Sequence, residues 1–198
     1  MNKIKMLNRI SIDGYFASLN EATFGMDWFI HDPEVDKAAH AIGGKMNILI
    51  LGSTTFRGFE RYWVPVLHNP DAPSHLKEIA QELTDMTKIV FSKTINETEW
   101  DNTQIYNDNL IEVVRQLKRD ASCDILVLGS GSIVQQLAEE GLIDEYIFIV
   151  SPVVAGKGKP LFDHVSQFAL TPVEASTFES GNVVLHYVKP SSTGFSSE

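Results

Sequence analysis

The stretch Asp124-Ile125-Leu126-Val127-Leu128-Gly129-Ser130-Gly131-Ser132 decides the fold. Four apolar residues in a row suit a strand covered on both faces, as in the middle of a parallel sheet. The run breaks into small residues. Ile133, Val134 and Leu137 then recur at helical spacing until Gly141 stops them. Strand, glycine-serine turn and helix make one βα unit, and the chain repeats it in both directions. Downstream, residues 146–150 (Tyr-Ile-Phe-Ile-Val) form the next buried strand. Upstream, Asp108 is placed to cap a helix with the stripe Leu110, Val113, Val114 and Leu117.

Earlier still, residues 47–51 (Asn-Ile-Leu-Ile-Leu) and 88–91 (Lys-Ile-Val-Phe) read as strands, with a shorter one at 104–106. The first of these runs into Gly52-Ser53-Thr54-Thr55, and a short helix is expected to start within 54–59. Residues 73–83 read as a helix. Asp32-Pro33-Glu34 supplies an N-cap, a proline at the first helical position and an acid in the first turn. Val35, Ala38, Ala39 and Ile42 give that helix its apolar stripe. The chain starts with a strand over 4–10, ended by the turn pair Asp13-Gly14. After Val150 the alternation stops. Residues 168–178 and 183–188, separated by Glu179-Ser180-Gly181-Asn182, read as an antiparallel hairpin. The expected class is α/β, a mostly parallel sheet with an antiparallel finish.

Composition narrows the function. At 198 residues the chain suits one domain, expected over 1–190 with a polar flexible tail at 191–198. Sixteen Lys and Arg against 26 Asp and Glu leave a net charge of −10, which repels nucleic-acid backbones and anionic membranes at long range. A single cysteine, Cys123, excludes an internal disulfide and a thiolate zinc cluster. No apolar run is long enough for a transmembrane helix and the first ten residues do not resemble a signal peptide, so a cytoplasmic protein is expected. The six histidines lack ligand spacing, and no Walker-type or nucleophile-elbow motif occurs.

In open α/β sheets ligands bind at the carboxyl ends of strands. Three such ends carry the residues that suit phosphate: Gly52-Ser53-Thr54-Thr55, Ser92-Lys93-Thr94 and Gly129-Ser130-Gly131-Ser132. Free N–H groups at a helix start attract an anion, and glycine lets the backbone come close. Together they suggest NADPH. Each turn alone also suits ordinary helix capping, and Val134 stands where a dinucleotide fingerprint has its third glycine.

Several blocks resemble a known family: Ser11-Ile12-Asp13-Gly14, residues 47–56, Ile89 to Thr94, Ile125 to Val134, Gly141 to Tyr146 and Pro152 to Phe162. Their order and spacing are similar to the dihydrofolate reductase fold, and more closely to the C-terminal reductase domain of the bifunctional riboflavin-biosynthesis deaminase/reductase. The resemblance implies a three-layer fold and an NADPH-dependent oxidoreductase. It implies that Gly52, Ser53, Thr54 and Thr55 meet the pyrophosphate or the adenosine ribose, and that Ser92, Lys93 and Thr94 hold the 2′-phosphate side. Gly129, Ser130, Gly131, Ser132, Ile133 and Val134 would line the pyrophosphate and nicotinamide, with Asp13 near the reacting ring. Trp28 and Phe29 are candidates to stack on a pteridine- or pyrimidine-like substrate, or are simply core or lid aromatics. Where that family follows Asp-Gly with Arg or Lys, this chain has Tyr15 and Phe16. The closest family activity is reduction of 5-amino-6-(5-phosphoribosylamino)uracil. Dihydrofolate reduction and a non-catalytic nucleotide-binding dimeric scaffold are the alternatives. The family also implies a homodimer, through the strand 146–150 or the final hairpin.

Overall fold

The computed structural model describes residues 2–44 and 46–190. In chain order it contains β1 (Ile4–Ile10), β2 (Tyr15–Ala17), α1 (Pro33–Gly43), β3 (Ile48–Gly52), α2 (Ser53–His68), α3 (Ser74–Asp85), β4 (Thr87–Phe91) and β5 (Thr103–Tyr106). It continues with α4 (Leu110–Asp120), β6 (Ile125–Leu128), α5 (Gly131–Glu139), β7 (Glu145–Val150), β8 (Lys159–Pro160), β9 (Thr171–Thr177) and β10 (Val183–Val188). A single 3-10 turn, Glu21–Thr23, follows β2.

Eight strands form one sheet in the order β5-β4-β3-β6-β1-β7-β10-β9. The first six in that order are parallel. β10 runs antiparallel to β7, and β9 antiparallel to β10. This is the expected mostly parallel sheet with an antiparallel finish. β2 and β8 pair separately as a small ribbon.

Strand side chains alternate between faces, so the continuous apolar runs need cover on both sides. On one face Leu49, Leu51 and Val90 pack with Phe56 of α2, and Ile147, Ile149 and Val184 pack with Val35 and Ala39 of α1. On the other, Ile4, Met6, Ile50, Ile125 and Val127 meet Leu110 and Val114 of α4 and Ile133, Val134 and Leu137 of α5. The result is three layers, helices on both sides of the sheet.

Two local expectations are corrected. The helix after β3 is not short: α2 runs for 16 residues through Pro65. Phe56, Phe59 and Trp63 give it an apolar face at helical spacing, and their packing carries the helix past Pro65, which has no N–H to donate. Asp108 does not cap α4. The N-cap is Asn109, in a left-handed conformation and without a side-chain cap, while the Asp108 carboxylate accepts from Asn109 Nδ2 at 2.8 Å. The expected tail, 191–198, lies outside the described residues. No helix among the described residues is long and apolar enough to cross a membrane.

Candidate functional site

β4, β3 and β6 are adjacent and parallel, so the turns that leave them emerge at one edge of the sheet. Ile50 pairs with Val127 and Gly52 with Phe91, so the three strand ends finish level. Adjacent strands lie about 4.8 Å apart, and the three ends therefore span roughly 10 Å. The three turns singled out in the sequence form one continuous rim.

The rim is built mainly of backbone. Gly52 and Ser130 are the N-caps of α2 and α5, and neither helix has a side-chain cap. The N–H groups of the first two residues of each helix, Ser53 and Thr54 in α2 and Gly131 and Ser132 in α5, have no acceptor within an ideal helix and face the open end. α1 differs, because Asp32 accepts from Glu34 N at 2.9 Å. The Gly52 N–H donates to Ser130 Oγ at 2.7 Å, and Ser130 Oγ donates to Thr55 Oγ1 at 3.0 Å. A methyl group at Gly129, whose backbone is left-handed at φ 63°, would come within 2.9 Å of Thr55 Oγ1, so glycine is favoured there.

The candidates do not all face the rim with their side chains. Ile133 and Val134 are buried in the core against β1 and β6, and their N–H groups both go to the Ser130 carbonyl. They hold α5 in place rather than line a cleft. Ser92 is also buried. Its hydroxyl accepts from Thr94 N at 3.1 Å and Ile95 N at 2.9 Å, shaping the turn. Lys93 is exposed and, among the described residues, has no ion-pair partner. Beside it lies a groove of about 480 Å³ lined by Arg57, Glu60, Thr94, Ile95, Asn96 and Glu97. Arg57 Nη2 donates to the Thr94 carbonyl at 3.4 Å. Sequence reasoning missed Arg57, and the helical spacing of Phe56, Phe59 and Trp63 was the available signal. Bare helix starts, glycine turns and a free cation at one edge fit a phosphorylated dinucleotide.

A second group of residues lies beyond β1 and β7. The Asp13 carboxylate accepts from Ala155 N at 2.9 Å and Gly156 N at 2.8 Å. The Ser11 hydroxyl and these two N–H groups hold its pKa at about 2, so Asp13 is ionised at neutral pH. β2 and the segment after it form a strap across the rim. Phe16 packs on the first turn of α5 so closely that a methyl group at Gly131 would clash with its ring. Phe24, in a left-handed conformation, lies against Gly58 of α2. Trp28 and Phe29 stack with centroids 4.8 Å apart, but Phe29 is buried and only Trp28 is partly open to solvent.

The described residues hold no cluster of His, Cys, Asp or Glu suited to a metal ion. Comparison with known proteins agrees with the fold. The model of the RibD C-terminal domain matches residues 2–184. The uncharacterized protein YyaP of Bacillus subtilis is 33% identical over 180 residues, 90% of each chain. Among solved structures, a Shewanella chain described as a riboflavin biosynthesis protein superposes with a TM-score of 0.69 at 20% identity, covering 96% of this chain and 99% of that one. The diaminohydroxyphosphoribosylaminopyrimidine deaminase/5-amino-6-(5-phosphoribosylamino)uracil reductase of Thermotoga maritima superposes with a TM-score of 0.63 at 13% identity, over 96% of this chain and 57% of that one. With its sheet order, its bare glycine turns and this full-length match, the chain belongs to the RibD C-terminal domain family.

Proposed function

We propose that the protein is an NADPH-dependent reductase of a small heterocyclic or imine-like substrate, related to 5-amino-6-(5-phosphoribosylamino)uracil reduction. The observation that carries this reading is the level row of three strand ends, two of them opening uncapped helices and the third presenting Lys93. When bound, NADPH supplies a hydride.

The rest is done by the chain. N–H groups at the starts of α2 and α5 take the anionic oxygens of the pyrophosphate. Lys93 and Arg57 meet the 2′-phosphate side, and the Ser92 hydroxyl keeps the Thr94 turn in shape for them. The strap carrying Phe16, Phe24 and Trp28 limits water over the reacting carbon. Asp13 carries no proton at neutral pH, so it orients a substrate N–H, and the proton that accompanies the hydride comes from solvent water at the substrate nitrogen or oxygen. Its two N–H bonds to residues 155–156 leave further lone pairs for that contact.

Two carboxylates favour a second reading of the cofactor. Glu60 and Glu97 share the groove with Arg57 and suit ribose hydroxyls, in which case NADH serves as well. The homodimer belongs to the proposal too. Phe162, Phe168 and Val173 are exposed around the β7–β10 part of the sheet, and a second copy is their proposed cover.

Loss of nicotinamide absorbance with a panel of pyrimidine, pterin and carbonyl substrates tests the activity. Oxidation with one member and a preference for NADPH over NADH are expected. Binding without oxidation across the panel would leave a nucleotide-binding scaffold in its place.

A further inference from the structure

Resting on the reading above, we propose that Ser130 is a positioning residue, a staple that sets the separation of the two phosphate-facing turns, and that its hydroxyl is not itself a phosphate ligand. Ser130 and the preceding Gly129 both adopt left-handed backbone, at φ 57° and 63°. That region disfavours a side chain, and glycine would occupy it without strain. At the N-cap of α5 a serine hydroxyl ordinarily accepts from an N–H in the first turn of its own helix. Here it makes no such cap. It reaches across to the neighbouring strand end, accepting from Gly52 N at 2.7 Å and donating to Thr55 Oγ1 at 3.0 Å.

The two turns interlock around this hydroxyl. A methyl group at Gly52 would come within 2.9 Å of Ser130 Oγ, and one at Gly129 within 2.9 Å of Thr55 Oγ1. One buried hydroxyl therefore joins the N-cap residues of α2 and α5, which stand 78 positions apart in the chain. Its proton and one lone pair are already engaged. The same arrangement leaves both helices without a side-chain cap, with the N–H groups of their first two residues open. A pyrophosphate that bridges both helix starts needs them at a set distance before it arrives, so the staple saves ordering cost on binding.

The test combines amide exchange of the ligand-free protein with NADPH titration of the variants Ser130→Gly, Thr55→Val, Thr55→Ser and Ser130→Gly/Thr55→Val. Ser130→Gly relieves the left-handed backbone at position 130 while losing two hydrogen bonds, so it is expected to fold with a melting temperature lowered by a few degrees. Its Gly52 amide should exchange faster, and its NADPH dissociation constant should rise about tenfold, because the two turns are then ordered only on binding. Thr55→Val should weaken binding in the same direction, Thr55→Ser should restore it, and the double variant should bind no worse than Ser130→Gly. Losses that add in the double variant would instead make Ser130 a direct ligand. Native affinity in Ser130→Gly with Gly52 still protected would remove the staple altogether. Were the native protein itself to bind no NADPH, the reductase reading would fall and the positioning role with it, while Gly52 exchange would still report the hydrogen bond.

Discussion

Lys88 lies in the middle of β4, the strand that ends in the Lys93 turn, and its side chain is completely buried. Its ammonium donates to the carbonyls of Leu83 and Thr84 at 2.9 Å and Met86 at 2.8 Å, and sits 4.8 Å over the Trp100 ring. It thereby ties the C-terminus of α3 to the sheet. Replacing it with methionine keeps most of the volume but removes the donors. The Thr84 carbonyl retains Asn102 Nδ2 at 3.0 Å, so two carbonyls, those of Leu83 and Met86, lose this partner. At about 1–1.5 kcal/mol each, the loss is about 2–3 kcal/mol, or roughly 5–10 °C in melting temperature for a chain of this size. A pH series adds a second signature. Burial pushes the Lys88 pKa down to about 8 from 10.5, against the upward pull of Asp101 and Asp85. Between those values the folded state holds fewer protons than the unfolded, so the Lys88 contribution to stability rises with pH through that window. Below it, both states carry the charge and the contribution is constant. Urea unfolding of the native protein and Lys88→Met from pH 7 to about 10.5 reads both effects, with the gap widening as pH rises. A melting shift under about 1 °C, or a gap that stays constant or narrows with pH, would refute the reasoning.

Four further outcomes are expected. Lys93→Ala should raise the NADPH dissociation constant about tenfold and leave NADH binding unchanged, because only the 2′-phosphate distinguishes the two; calorimetric titration of both cofactors checks this. Asp13→Asn should lower turnover about tenfold with little effect on NADPH affinity, since Asp13 faces the loop at 155–156 and not the rim. The native pH–rate profile should lack a limb from Asp13 above about pH 4, because its folded pKa is about 2. Light scattering at micromolar concentration should give a dimer, and Phe162→Glu should give a folded monomer; a native monomer would contradict it.

The parts of the fold visible in the sequence are those set by local pattern. Continuous apolar runs at 47–51, 124–128 and 146–150 mark strands buried on both faces, and Val35, Ala39 and Ile42 mark a helix by spacing alone. The hairpin at 171–188 follows from its turn residues. Strand order is different, because nothing local places β6 between β3 and β1. The length of α2 was not legible, because its run past residue 59 depends on Phe59 and Trp63 packing onto the sheet. Turn chemistry located the rim, but which polar side chains are already engaged depends on pairs far apart in the chain. Ser130 with Gly52 and Asp13 with Gly156 are two such pairs, separated by 78 and 143 positions. The burial of Ile133 and Val134 was likewise hidden, since a helix start can turn its apolar residues to the core while its backbone faces a ligand.

A crystal structure of the protein with NADPH tests the function most directly. The expected density runs along the edge formed by β4, β3 and β6, with the pyrophosphate against the first turns of α2 and α5 and the 2′-phosphate within reach of Lys93. A dinucleotide bound elsewhere, or a rim still empty at millimolar NADPH, would contradict the assignment.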